Sequence, residues 1–200
     1  MPRHTIVFEL YICVIKVGTS SLIRPDMGTL NLSSLAGLVE LVRDLKTLGF
    51  NVILVTSGAA GVGCQRLGLS KKPAEVSKRQ ALAAVGQIHL MRHYDDLFAA
   101  LGLKCAQVLL TLDNLAVRSQ YVNARSTFFE LLRFDCVPIV NENDTLAVEE
   151  LRFGDNDTLS AQVAALVGAS WLFLLTDVDA LYSGNPHVDP QAKRIPEVED

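Results

Sequence analysis

The chain has 200 residues, of which half are apolar and one fifth are charged, and its net charge is −4 at pH 7. These values fit a single folded domain with a sizeable core, and they exclude a disordered or fibrous chain. The 18 lysine and arginine residues are scattered, which excludes a general attraction to nucleic acid or to an anionic membrane surface.

Five short apolar runs rich in Val, Ile and Leu predict strands that are buried on both faces of a sheet. They cover residues 12–17, 52–56, 105–110, 136–140 and 171–176. The first run ends a longer apolar stretch that begins at Thr5, which is long for one strand. We therefore expect an inserted or mis-joined segment near residues 8–13.

Between these runs, apolar residues recur with helical spacing over residues 35–48, 74–101, 118–134 and 157–167. Ser33 or Ser34 is the expected N-cap of the first helix, and a break is expected near Gly86 in the second. The last helix is expected to start at a cap among residues 155–157 and to end at Gly168. Strands alternating with helices predict an α/β fold with a mostly parallel sheet and helices on both faces.

Residues 180–200 are polar and contain proline, and they add neither a clear strand nor a covering helix. A parallel α/β domain with this ending leaves an edge or a face uncovered. We therefore expect the fold to be truncated at the C-terminus. The four cysteines are far apart and form no CxxC pair, which indicates reduced thiols and a cytoplasmic protein.

Small, polar or acidic residues follow every predicted strand. Ligands of open α/β sheets bind beyond the carboxyl ends of the strands, where loops and helix N-termini present free N–H groups. The loops begin with Gly18-Thr19-Ser20-Ser21, Ser57-Gly58-Ala59-Ala60-Gly61, Thr111-Leu112-Asp113-Asn114, Asn141-Glu142-Asn143-Asp144 and Asp177-Val178-Asp179. Any one of them could be a plain polar turn, but as a set they predict an active site for an anion and a cation.

Lys16 stands at the end of the first predicted strand. Its stem can pack in the interior while its ammonium reaches the ligand edge, although a lone lysine here could equally be a surface residue. The Gly18-Thr19-Ser20-Ser21 turn that follows makes Lys16 a candidate phosphate clamp. The glycine-rich segment after Ser57 is neither a Walker A loop nor a GxGxxG fingerprint, so ordinary P-loop and Rossmann sites are not favoured.

Carboxylates are crowded in two segments, Asn141-Glu142-Asn143-Asp144 and Gly154-Asp155-Asn156-Asp157. Their mutual repulsion requires a cation, which could be a substrate ammonium group, Mg²⁺ or a lysine. His89 and His93 have the i, i+4 spacing of a metal pair, but no third ligand accompanies them. We interpret these histidines as exposed helix residues and predict no protein metal site.

Seven motifs together resemble the glutamate 5-kinases of the amino-acid kinase family, over nearly the whole chain from about Ile12. They are VIKVGTS at 14–20, VTSGA at 55–59, LAAVGQ at 82–87, VNAR at 122–125, VNEND at 140–144, GDND at 154–157 and LTD at 175–177. The order NEND then GDND is the most specific of these signals. The resemblance implies a three-layer α/β/α sandwich, with residues 1–200 forming an incomplete kinase domain: the acceptor half and the start of the ATP half.

The resemblance also implies roles for individual residues. The catalytic pair would be Lys16, which bridges the phosphates, and Asp157, which orients that lysine. Residues of the nucleotide side would be Gly18, Thr19, Thr176 and Asp177. Residues of the acceptor side would be Ser57, Gly58 and Ala59 near the side-chain carboxylate, and Asn141, Asp144 and Asn156 near the α-amino end.

The implied reaction is ATP-dependent phosphorylation of the γ-carboxylate of L-glutamate to glutamyl 5-phosphate, the first step of proline biosynthesis. ATP and Mg²⁺ would be the cofactors, proline a feedback inhibitor and a homo-oligomer the assembly. A glutamate carboxylate is already ionised at neutral pH, so the nucleophile needs no general base. The catalytic need is instead for cations and N–H groups that offset the repulsion between two anions.

One family feature lacks a match. A second lysine follows a glycine-rich loop in the family, whereas only Lys193 and Arg194 are basic after Asp177 here. Little turnover is therefore expected from the 200-residue chain alone. Two alternatives stay open: a non-catalytic fragment that binds glutamate or proline, and the kinase half of a bifunctional pyrroline-5-carboxylate synthase.

Overall fold

A five-stranded parallel sheet forms the centre of the computed structural model, which describes residues 11–24, 28–147, 156–186 and 188–198. The strands are β1 (Ile12–Val17), β2 (Asn51–Val55), β3 (Lys104–Leu110), β4 (Cys136–Glu142) and β5 (Trp171–Leu175). Their order across the sheet is β3-β4-β2-β1-β5, and every neighbouring pair is parallel. A short antiparallel hairpin of β6 (Leu181–Tyr182) and β7 (Arg194–Ile195) follows.

Helices connect the strands and cover both faces of the sheet. They are α1 (Thr19–Leu22), α2 (Leu32–Thr47), α3 (Ala59–Arg66), α4 (Val76–Ala100), α5 (Leu112–Ala116), α6 (Arg118–Arg133) and α7 (Asp157–Val167). Along β1, Cys13 and Ile15 belong to a core with residues of α2, α3 and α4, whereas Ile12 and Val14 belong to a core with residues of α5, α6 and α7. The predicted three-layer α/β/α sandwich with a parallel sheet is confirmed.

Helix α4 runs without interruption from Val76 to Ala100, so the expected break near Gly86 is wrong. The glycine serves close helix packing. A Cβ atom on Gly86 would lie 1.8 Å from the backbone oxygen of Ala59, and one on Gly63 would lie 2.0 Å from that of Leu82. Both distances are far below a van der Waals contact, so α3 and α4 can touch only because neither glycine carries a side chain.

Most helix boundaries follow the sequence signals. Helix α7 has the predicted bounds and ends at Gly168, whose φ of 65° is the left-handed conformation that glycine adopts readily. Helix α2 starts earlier than expected, because its N-cap is Asn31 rather than Ser33 or Ser34. The Asn31 side chain accepts a hydrogen bond from the backbone N–H of Ser34.

Strand β4 is longer than predicted and includes Asn141 and Glu142, which pair in register with Leu109 and Leu110 of β3. The prediction of a strand buried on both faces holds for β1, where every residue is buried, and is wrong for the edge strands β3 and β5. In β5, Trp171 is 58% exposed and stacks on Phe173. Within the described part of the chain, β5 pairs with β1 alone, so its outer edge is open.

Of the expected insertion near residues 8–13, the first half lies outside the described residues, and its last residues, Ile12 and Cys13, belong to β1. Residues 154 and 155 of the GDND motif also lie outside them. Among the described helices, none combines the length and the apolar character needed to cross a membrane.

Candidate active site

The order of the strands changes direction beside β1. The chain leaves β1 toward β2 on one side and reaches the other side of β1 only with β5. In open α/β sheets, such a change leaves a crevice at the carboxyl ends of the two strands, and ligands bind there. The two ends are directly linked here, because the backbone N–H of Gly18 donates to the carbonyl oxygen of Leu175 at 3.3 Å.

Lys16 lies at this crevice and is only 1% exposed. Side chains alternate between the two faces of a strand, and Lys16 follows Val14 by two residues. The Lys16 side chain therefore lies on the same face as Ile12 and Val14, which is the face covered by α7. The Lys16 Nζ atom forms an ion pair of 2.7 Å with Oδ1 of Asp157, the first residue of α7. The Asp157 side chain is about half exposed, so one side of the ion pair is buried and the other side faces solvent.

The loop after β1 passes close to this ammonium. A Cβ atom on Gly18 would lie 3.4 Å from Lys16 Nζ and 3.7 Å from the Leu175 carbonyl oxygen. Gly18 precedes α1, whose first residue is Thr19. Thr176 and Asp177 follow the neighbouring strand β5 and are exposed, and the Thr176 hydroxyl donates to the Asp177 carboxylate at 3.2 Å. All four predicted nucleotide-side residues therefore lie at the ends of β1 and β5.

A second group of polar side chains lies at the ends of β2 and β4, and Asn156 holds it together. The Nδ2 group of Asn156 donates to the backbone oxygen of Thr56, to Ser57 Oγ at 3.0 Å and to Asn141 Oδ1 at 2.9 Å. Asn156 occupies the predicted N-cap position of α7, but its side chain makes no capping hydrogen bond. The side chain joins the loop after β2, which is 100 residues away in sequence, to the end of β4, which is 15 residues away.

The remaining acceptor-side residues lie around this group. Gly58 has a φ of 99°, which favours glycine, and it directly precedes Ala59, the first residue of α3. Asp144 lines a cavity of about 410 Å³ together with Gln87 and Glu142. Since Gln87 also contacts Asn141, this cavity adjoins the Asn156 group. Ser57, Asn141 and Asn156 are thus in direct contact, and Asp144 stands beside them.

Helix α4 supports the group from behind. The Nδ2 group of Asn141 donates to Gln87 Oε1 at 2.9 Å, and the hydroxyls of Thr56 and Tyr94 share a hydrogen bond of 2.8 Å. Tyr94 is fully buried, and burial raises its pKa above the ordinary value, so the hydroxyl stays neutral.

Sequence reasoning gave no role to Gln87 or Tyr94. They are seven residues, or about two helical turns, apart, so they lie on the same face of α4. Polar residues at that spacing on an otherwise apolar helix face were the available signal. His89 and His93 lie on the same helix and are partly exposed.

Comparison with known proteins places the chain in a family. The sequence profile of the amino acid kinase family matches residues 12–200. The chain is 62% identical over 187 residues to the glutamate 5-kinase of Synechococcus elongatus, covering 94% of this chain and 51% of that protein. It is 60% identical over 182 residues to the glutamate 5-kinase of Rippkaea orientalis, covering 91% of this chain and 49% of that protein.

The fold agrees with this assignment. The UMP kinase of Bacillus anthracis matches with a TM-score of 0.58 at 14% identity, over 92% of this chain and 72% of that structure. The isopentenyl phosphate kinase of T. acidophilum matches with a TM-score of 0.59 at 16% identity, over 90% and 76%. The chain spans about half the length of the curated relatives it matches. By the profile match over nearly its whole length, this chain belongs to the amino acid kinase family.

Proposed function

We propose that the protein to which this chain belongs phosphorylates the γ-carboxylate of L-glutamate with ATP, giving glutamyl 5-phosphate, the first intermediate of proline biosynthesis. One observation carries the proposal: a buried lysine ammonium, paired with Asp157, stands where the strand order reverses. The names of the relatives, glutamate 5-kinases at about 60% identity, supply the substrate.

The chemistry required is electrostatic. Both the attacking carboxylate and the triphosphate are anions at neutral pH, so the barrier includes their repulsion. A lysine held in a site of low water content stabilises negative charge far more than it would in bulk solvent. Lys16 would act on the transferring phosphoryl group, and Asp157 would hold its ammonium in position at the crevice.

The acceptor would lie on the other side of this lysine. Ser57, Gly58 and Ala59 would hold its side-chain carboxylate, since Gly58 leaves room for a close approach to the backbone at the start of α3. Its α-amino and α-carboxylate groups would meet the second set of polar side chains, namely Asn141, Asp144 and Asn156. Asn156 and Asp157 are adjacent, so the first turn of α7 would link acceptor binding to the catalytic lysine.

ATP would bind at the ends of β1 and β5, with Gly18 and Thr19 beside the phosphates and Thr176 and Asp177 beside the rest of the nucleotide. Magnesium in such sites is held by phosphate oxygens and one or two carboxylates. The half-exposed carboxylate of Asp157 and the exposed carboxylate of Asp177 fit that donor set. The ion would neutralise part of the phosphate charge.

The test is glutamate-dependent release of ADP by the complete gene product, with hydroxylamine added to trap the acyl phosphate. Lys16→Met should lower kcat at least about 100-fold, as expected for losing a transition-state cation. Lys46→Met is the matched control: Lys46 also forms a lysine–aspartate ion pair, 2.6 Å to Asp135, on α2 away from the crevice. It should leave kcat within about twofold, because a partly exposed pair is worth little.

Equal activity of the Lys16→Met protein and the wild type would refute the proposed site. Glutamate or proline binding without ADP release would favour a non-catalytic binding role. Reduction of the trapped product by the same polypeptide would indicate the bifunctional synthase.

We extend the proposal to regulation, assembly and location, which the family resemblance implies: inhibition by proline at or near the glutamate site, a homo-oligomer, and a cytoplasmic enzyme. A proline titration that raises the KM for glutamate would support the first point. Light scattering of the purified protein would decide the second, and cell fractionation the third.

A further inference from the structure

We propose that Gln87 is a positioning residue of the acceptor site, which acts on substrate binding only through Asn141 and Asn156. For its effect on glutamate, this inference rests on the proposed function. Its structural part concerns the hydrogen bonds of this chain alone.

Three hydrogen bonds fix the orientation of the Asn141 amide. Asn156 donates to Asn141 Oδ1, and Asn141 in turn donates through Nδ2 to Gln87 Oε1 at 2.9 Å. The backbone N–H of Glu142 also donates to Asn141 Oδ1, at 2.9 Å. The oxygen of the Asn141 amide therefore receives two donors, and its nitrogen needs an acceptor on the opposite side.

Burial makes that acceptor necessary. Asn141 is 3% exposed, so water has little access to its amide. A buried N–H group without a partner is costly, and an amide relieves such a loss by rotating. Rotation would turn the Nδ2 group of Asn141 toward the Nδ2 group of Asn156 and the N–H of Glu142, placing donors against donors. Gln87 prevents this because its Oε1 atom can only accept.

Rotation of the Asn141 amide would in turn affect Asn156. It holds Ser57 Oγ and the Thr56 carbonyl oxygen in addition to Asn141. Losing the acceptor on Asn141 would free the Asn156 amide from one of its anchors and loosen the loop that carries Ser57. Gln87 is thus connected to two proposed substrate contacts without needing to touch the substrate.

Gln87 has a natural control in Gln107. The Nε2 group of Gln87 donates to Gln107 Oε1 at 3.0 Å, and Gln107 is exposed on β3. Water can replace Gln107 as the acceptor, so this outer bond is not required for the orientation of Asn141. Replacing either glutamine with methionine removes the same functional group from a side chain of similar length.

The first arm of the test needs no activity. Side-chain amide exchange of Asn156, followed by nuclear magnetic resonance on the complete gene product, should accelerate at least about tenfold in Gln87→Met. It should stay within about twofold in Gln107→Met. Gln87→Glu keeps an acceptor toward Asn141 and should keep the exchange slow. Unchanged exchange in Gln87→Met, or fast exchange in Gln87→Glu, would overturn the inference.

The second arm is kinetic and includes thermal unfolding of every variant. Gln87→Met should raise the KM for glutamate about tenfold with the KM for ATP nearly unchanged, and it should lower the unfolding temperature by about 2–4 °C because Asn141 loses a buried hydrogen-bond acceptor. The double variant Gln87→Met/Asn141→Ala should be no worse than Asn141→Ala alone. Additive losses would show that Gln87 acts independently of Asn141. A wild type without glutamate turnover would refute the proposed function, and the exchange arm would still decide the role of Gln87.

Discussion

The contact between α3 and α4 yields a stability prediction with a control in the same chain. Substituting Gly86 by alanine would place a Cβ atom 1.8 Å from the Ala59 oxygen and 2.5 Å from the Gly63 nitrogen. Both atoms are backbone atoms, so no side chain can rotate away. Gly37→Ala is the control, because Gly37 lies in the exposed part of α2 and nothing stands within 4 Å of its added Cβ.

The magnitude follows from two opposing effects. Replacing glycine by alanine inside a helix gains about 0.8–1 kcal/mol of propensity. Gly37→Ala should show that gain. At Gly86 an ordinary contact of 3.4 Å would require α4 to move away from the Ala59 oxygen by more than an ångström. Overpacking of a tight core costs about 1–3 kcal/mol, and this clash belongs at the upper end, leaving a net loss of about 2 kcal/mol.

Thermal unfolding with calorimetry is the assay. One kcal/mol corresponds to about 2–4 °C for a chain of this size, so Gly86→Ala should unfold about 4–8 °C lower and Gly37→Ala about 2–4 °C higher than the wild type. An alanine at position 86 that leaves the unfolding temperature unchanged would refute the close packing of α3 on α4. Ala59 follows Ser57 and Gly58, so a destabilised variant should also bind glutamate more weakly.

Two further predictions concern a buried pair of hydroxyls behind the site and a partly buried thiol on β3. Tyr94→Phe and Thr56→Val should each lower the free energy of unfolding in urea by about 1 kcal/mol. The double variant should lose less than the sum of the two, because the two hydroxyls bond to each other. Strict additivity would contradict that bond. Burial and a nearby carboxylate raise the pKa of Cys105 to about 11, so its thiolate fraction at pH 8 is only about 0.1%. Alkylation of Cys105 by iodoacetamide should be on the order of 100-fold slower than that of a free thiol, and its rate should rise about tenfold per pH unit. A rate equal to that of free cysteine would show that the thiol is not held as described.

The gathering of the polar loops at one edge of the sheet could be predicted from the sequence. Parallel strands have their carboxyl ends at one edge, so five polar loops after five apolar runs had to gather there. Lys16 could be singled out because it was the charged residue at the end of an apolar run. Its ion pair with Asp157 was expected from the family resemblance, and the two atoms lie 2.7 Å apart.

The remainder depends on three-dimensional contacts that local patterns do not encode. Asn156 stands where an N-cap is expected, and only the fold reveals that its amide is used by Thr56, Ser57 and Asn141 instead. From the sequence, Gly86 predicts a break in its helix. Only the packing of α3 against α4 shows that the glycine allows the two helices to touch. The apolar run of β5 resembles that of β1, but burial depends on which elements cover a strand, and composition does not contain that information.

The strand order has a consequence for how this protein is made. β1 leaves the ribosome well before one of its two sheet neighbours, because β5 follows it about 160 residues later in the chain. At translation rates of about 5–20 residues per second, one edge of β1 waits roughly 8–30 s for its partner. During that interval its open backbone invites pairing with other nascent chains, so efficient production should depend on chaperones that shield this edge.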